Sequence, residues 1–153
     1  MGIGNDLRRD DSAGLRVVKI LSGKLKKDAF IRILECGEVP ENFLGTIENF
    51  SPSHVIIIDA VDMKSIPGSI GFFKREDILD FTTISTHNIS PQIMFTYLED
   101  IIKAKVLLIG IQTMNIGFGE NLSDEVDKSV KFIANVIIEV LSDEKIASDN
   151  RMG

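Results

Sequence analysis

Tryptophan is absent, tyrosine occurs once, and one cysteine, Cys36, stands in 153 residues. A lone thiol excludes an internal disulfide framework and a cysteine-rich metal site, and fits a reducing compartment. Proline is scarce at four residues, and no stretch reads as a linker or a repeat. One domain spanning 1–153 is expected. No apolar run approaches the roughly 20 residues needed to cross a bilayer. With no secretory leader expected ahead of Gly2, the chain reads as soluble, unexported and cytoplasmic, without membrane insertion. Lys and Arg form no block, and 17 basic against 23 acidic side chains leave a net charge of −6. That balance argues against nucleic acid or an anionic membrane surface as the main partner.

What is present is ordinary globular composition, 44% hydrophobic and 26% charged, with β-branched isoleucine prominent in the prospective core. Two nearly continuous apolar segments, His54-Val-Ile-Ile-Ile-Asp59 and Val106-Leu-Leu-Ile-Gly-Ile-Gln112, read as central strands of a parallel sheet covered on both faces. Phe30-Ile-Arg-Ile-Leu-Glu35 alternates and reads as another strand, ended by Cys36. Ser69-Ile-Gly-Phe-Phe-Lys74, flanked by Pro67 and Gly68, reads as a shorter edge strand. Helical spacing joins Leu15, Val18, Leu21 and Leu25 after Ser12. It also joins Ile93, Tyr97, Leu98, Ile101 and Ile102 after Ser90-Pro91, and Val126, Val130, Ile133, Ile137 and Leu141 after Ser123. The last helix is expected to end near Ser142, leaving a polar, frayed tail.

Strands alternating with helices predict an α/β fold, a doubly wound, mostly parallel sheet with helices on both faces. Gly2-Ile-Gly-Asn5 reads as the turn after a first, central strand of which only Met1 would remain. The first strand is therefore expected to be truncated, with the true start upstream of Met1 or the chain a shortened product.

Ligands in such sheets gather outside the carboxyl ends of the strands, which directs the search for chemistry. The glycines at 2 and 4 do not complete a dinucleotide fingerprint, because Leu7 occupies the third glycine position, and no Gly-Lys-Ser/Thr supplies a phosphate loop. Asp10 and Asp11 before Ser12 have an ordinary explanation as acidic residues at a helix N-terminus. Asp59 follows a buried run, where a carboxylate needs a partner or a metal, whereas Asp62 suits a turn. His87 lies in a hydroxyl-rich loop before a helix; His54 reads as surface, and Cys36 as a small buried hydrophobe. Brought together at one rim, Asp11, Asp59 and His87 would form a mixed oxygen and nitrogen site for a first-row divalent ion. Zinc, nickel, iron and manganese all satisfy that donor set.

These residues sit in five ordered blocks: Gly2-Ile-Gly-Asn5 with Asp10-Asp-Ser-Ala-Gly14, Val39-Pro-Glu-Asn42, Ile58-Asp-Ala-Val-Asp-Met63, Thr86-His-Asn88 and Leu108-Ile-Gly-Ile-Gln112. In that order they resemble the hydrogenase maturation endopeptidases, most closely the formate hydrogenlyase type. The resemblance implies a protease that removes the C-terminal extension of an immature nickel-iron hydrogenase large subunit after nickel insertion. It further implies that Asp11, Asp59 and His87 contact nickel presented by that substrate. A departure is Glu35-Cys-Gly-Glu38, where the family commonly carries Asp-Gly-Gly-Ser/Thr. The absence of a Gly-x-Ser-x-Gly elbow, and of an evident histidine partner for Cys36, disfavours a covalent mechanism. Two other functions fit the same residues: a non-cleaving, nickel-sensing chaperone for the same subunit, and a free metallohydrolase with its own zinc.

Overall fold

Strands that are apolar on both sides form only where both faces are covered, and the two longest apolar segments do so here. The computed structural model describes residues 1–25, 28–78 and 90–149, with side chains of the last helix as far as residue 142. In chain order the main elements are β1 (Gly2–Ile3), α1 (Ala13–Lys24), β2 (Glu35–Gly37), α2 (Leu44–Phe50), β3 (His54–Val61), β4 (Ile70–Phe73), α3 (Arg75–Ile78), α4 (Pro91–Thr96), β5 (Lys105–Gln112) and α5 (Asp124–Asp149). The sheet order is β2-β1-β3-β5-β4. All pairings are parallel except that of the edge strand β4 with β5. β3 and β5 run together over their whole length, from His54 opposite Lys105 to Val61 opposite Gln112.

Alternation along these strands divides the core into two layers. Ile58, Ile109 and Ile111 face α1 and α5 and pack with Ala13, Val17, Val18, Val126 and Val130. On the other face Val55, Ile57, Val106 and Leu108 pack with Ile47 of α2 and with Ile78, Met94, Phe95 and Leu98. Each such fully buried aliphatic or aromatic side chain contributes about 1.5–3 kcal/mol.

Several local expectations are corrected. Gly2 and Ile3 are not a turn but a two-residue strand in mid-sheet, paired with both β2 and β3. The second strand lies later than its alternation suggested. Residues 35–37 pair with β1, Cys36 sits inside the strand, and Phe30 is exposed beside an isolated bridge between Asp28 and Ile31. The Ser90-Pro91 start is as expected: the Ser90 side chain accepts from the Ile93 amide and Pro91 takes the first turn. The face of that helix differs in part: Leu98 is buried as expected, but Ile93 and Ile101 are exposed and Met94 and Phe95 are buried. A π turn over Tyr97–Ile101 follows α4. Finally, α5 continues to Asp149 rather than stopping near Ser142. A polar stretch containing Glu144, Lys145 and Ala147 has good helix propensity and no breaker, so polarity does not end the helix there.

Candidate active site

The short β1 delivers the chain to the carboxyl-end rim of the sheet, and two glycines then determine how closely the next segment returns. Gly4 has a φ of +145°, and a Cβ placed there would lie 2.0 Å from the Asp11 carbonyl oxygen. At Gly14 a Cβ would lie 2.2 Å from the Ile58 oxygen and 2.4 Å from the Ile3 oxygen. Only glycine permits both approaches. The 3₁₀ turn Arg9–Ser12 and the first turn of α1 are thereby pressed against β3 where Ile58 leads into Asp59. Asp11 and Asp59, far apart in sequence, thus belong to packed elements at one rim. They are 2% and 6% exposed. Neither carboxylate lacks interactions; one is the 2.8 Å bond that Asp59 Oδ1 accepts from the Ala60 amide.

Asp10 has a different task. It is fully buried. Its Oδ2 accepts from the Met114 amide at 2.9 Å, the Asn115 amide at 2.8 Å and the Ser123 hydroxyl at 2.9 Å, and its Oδ1 accepts from the Ser123 amide at 2.6 Å. The carboxylate therefore ties the start of α1 to the loop after β5 and to the residue preceding α5, where a helix N-terminus favours negative charge. Sequence reading assigned Asp10 to its own helix, and it serves another one. Ser12, in turn, makes no side-chain cap; its hydroxyl donates to the Arg9 carbonyl at 2.7 Å.

A second polar anchor lies at the end of β5. Gln112 is buried, and its Oε1 accepts from the Met63 amide at 2.7 Å and from the Ser65 amide at 3.2 Å. Its Nε2 donates to the Thr113 carbonyl at 3.1 Å and to Asp62 Oδ1 at 3.3 Å. Asp62 itself closes a turn by accepting from the Lys64 amide. Its hydrogen bonds to Lys64 and Gln112 hold its carboxyl below the ordinary aspartate range. Asp62 is thus the turn residue its sequence suggested, and Gln112, included in the block Leu108-Ile-Gly-Ile-Gln112 but given no role by sequence, holds that turn.

His87 lies outside the described residues. His54 begins β3, exposed, with Nδ1 3.0 Å from the Ser53 hydroxyl. It stands at the opposite end of the strand from Asp59, about 16 Å away along the chain at 3.3 Å per residue. Cys36 is buried, and burial pushes its thiol up to about 11, which disfavours the thiolate that a nucleophile requires. Among the described residues, no group of three His, Cys, Asp or Glu is arranged to hold a metal ion. What they supply at the rim is a pair of buried carboxylates, hard oxygen donors suited to a divalent cation or to water activation.

Comparison with known proteins gives a consistent pattern. A family model described as hydrogenase maturation protease matches residues 15–140. A Methanocaldococcus jannaschii protein assigned by name to the hydrogenase maturation proteases is 33% identical, over 96% of this chain and 89% of that one. The hydrogenase 3 maturation protease of Escherichia coli is 27% identical, over 86% of this chain and 82% of its own length. The crystal structure of the nickel-iron hydrogenase maturation protease HycI from Thermococcus kodakarensis superposes with a TM-score of 0.84. It shares 31% identity and covers 92% of this chain and 89% of that one.

Proposed function

The chain belongs to the hydrogenase maturation protease family, and from that premise we propose that it removes the C-terminal extension of an immature nickel-iron hydrogenase large subunit once nickel has been inserted. The observation carrying this reading is the burial of Asp11 and Asp59 in packed elements at the carboxyl-end rim, with Gly4 and Gly14 enforcing the approach. Asp11, Asp59 and His87 contact nickel that the substrate brings. Two of those three donors are carboxylates, a set that holds a resident ion weakly compared with closed structural sites. An ion already bound to the client would complete the site and fix the scissile bond beside it. Hydrolysis then adds water to the amide carbonyl, breaks the C–N bond and passes a proton to the departing amine. The metal and the carboxylates both suit water activation. Among the described residues no helix is long and apolar enough to cross a membrane, and the single free thiol fits a cytoplasmic setting.

The test is the mass of a nickel-loaded precursor large subunit incubated with the purified protein. A discrete C-terminal loss is expected, abolished in Asp59→Asn and in His87→Ala with circular dichroism unchanged. An unchanged precursor mass with the wild-type chain would instead favour a non-cleaving chaperone. Full activity in both variants would reject the three-residue assignment.

A further inference from the structure

The loop after β5 carries large apolar side chains on its outside. Met114 and Phe118 are 66% and 85% exposed, and Leu7, which lies against this loop, is 61% exposed. A segment carrying large apolar side chains is ordinarily anchored by burying them. Here polar bonds to the backbone do the anchoring. Besides the Asp10 clamp, the Arg9 amide donates to the Gly119 carbonyl at 2.8 Å and the Gly119 amide to the Leu7 carbonyl at 2.9 Å. Arg8 Nε donates to the Ile116 carbonyl and Arg9 Nε to the Phe118 carbonyl, both at 3.2 Å. The main chain is therefore fixed while the side chains remain outside, the arrangement that lowers the ordering cost of binding.

Charge points the same way. In a chain of net charge −6, the guanidiniums of Arg8 and Arg9 have no carboxylate partner among the described residues, each using one donor on a loop carbonyl. Arginine beside exposed aromatic and aliphatic groups is the composition of a protein-binding surface. The same 3₁₀ turn carries Asp10, which this loop clamps, and Asp11 of the candidate active site, so the loop is fixed beside that site.

We infer that Leu7, Met114 and Phe118, with Arg8 and Arg9 beside them, form a preorganised docking surface for the client polypeptide. The complementary patch on the client is apolar and edged by carboxylates. This rests on the reading above, in which the client is the immature large subunit.

The experiment titrates a nickel-loaded precursor large subunit against the wild-type chain and against Phe118→Ser combined with Leu7→Ser. Both substituted side chains are exposed, and unchanged thermal unfolding verifies that the fold is kept. Kd and KM are expected to rise about tenfold or more, as for loss of central aromatic and aliphatic anchors. Single-turnover cleavage at saturating enzyme should keep its wild-type rate. Wild-type affinity should weaken with salt, and Arg8→Gln should flatten that dependence. Wild-type Kd and KM in the double variant would overturn the docking surface while leaving the protease intact. Weakened binding together with no cleavage by the wild-type chain would uphold the surface and overturn the protease. Absence of wild-type binding, or an effect of Phe118→Ser on self-association alone, would also overturn the surface.

Discussion

Removing the Asp10 carboxylate should loosen the rim without touching the reacting atoms. Four donors meet its two oxygens: three at Oδ2 from the Met114 and Asn115 amides and the Ser123 hydroxyl, and one at Oδ1 from the Ser123 amide. Hydrogen bonds to a charged acceptor are worth about 1.5–3 kcal/mol each, but they do not add, and water can reach the exposed loop once it loosens. For Asp10→Ala we expect a loss of about 3–5 kcal/mol. Asp10→Asn separates the two oxygens. An amide oxygen placed at Oδ2 keeps three donors, while its NH₂ then faces the Ser123 amide, donor against donor. The expected cost is one charge-assisted bond plus that mismatch, about 3 kcal/mol. Urea unfolding reads both numbers. Hydrogen exchange should accelerate at the amides of Met114, Asn115 and Ser123 before any change in β3 or β5. A loss below about 1 kcal/mol in Asp10→Ala, with those amides still protected, would refute the clamp.

Gly14→Ala sets two effects of opposite sign against each other. A helical alanine gains up to about 1 kcal/mol over glycine. The added methyl meets the Ile58 and Ile3 carbonyls at 2.2 and 2.4 Å, an overpacking that costs about 1–3 kcal/mol or more, so net destabilisation in urea is expected and a gain would contradict the contact. Gln112→Ala orphans the Met63 and Ser65 amides. It should cost about 1–3 kcal/mol, with faster exchange at those two sites, and unaltered protection would show that the side chain does not hold the turn. Burial raises the Cys36 thiol from its ordinary value of 9.0 to about 11. The folded state thus favours the protonated form: its contribution is complete below pH 9 and declines as pH rises from 9 toward 11. At most about 3 kcal/mol is involved. Native Cys36 should alkylate at least about 100-fold more slowly than the unfolded chain at pH 8, and rapid native labelling would show it to be accessible.

Much of this architecture was legible because its signals are local and periodic. The apolar runs at 54–59 and 106–112 mark β3 and β5, and the carboxyl-end rule then directs attention to Asp59. What misled was information carried by tertiary contact. Alternation at 30–35 resembles a strand, yet pairing with β1 is won by Glu35–Gly37. The spacing from Ile93 to Ile102 resembles a buried stripe, and Leu98 is buried as that spacing requires, yet Met94 and Phe95 are buried where Ile93 is exposed. Periodicity reports that a face exists and leaves its exact phase to the packing around it.

Adjacent acidic residues expose the deeper limit. Asp10 and Asp11 look interchangeable in a string of letters, and both fit the beginning of a helix. They lie in a 3₁₀ turn, where successive side chains are separated by about 120°. One can therefore enter the loop before α5 while its neighbour belongs to the rim beside β3. Which residue takes which role depends on where Ser123 and Ile58 lie, and those positions are set by chain more than 40 residues away. The family resemblance implies Asp11 as a ligand by its place in a motif; in the structure the oxygens of its neighbour Asp10 accept from four donors. Exchanging the roles should consequently fail in both directions: Asp11→Asn should lose client cleavage with little loss of loop protection, and Asp10→Asn should lose loop protection first. Equal effects of the two substitutions on exchange at Met114 and Asn115 would mean that the pair acts as one unit.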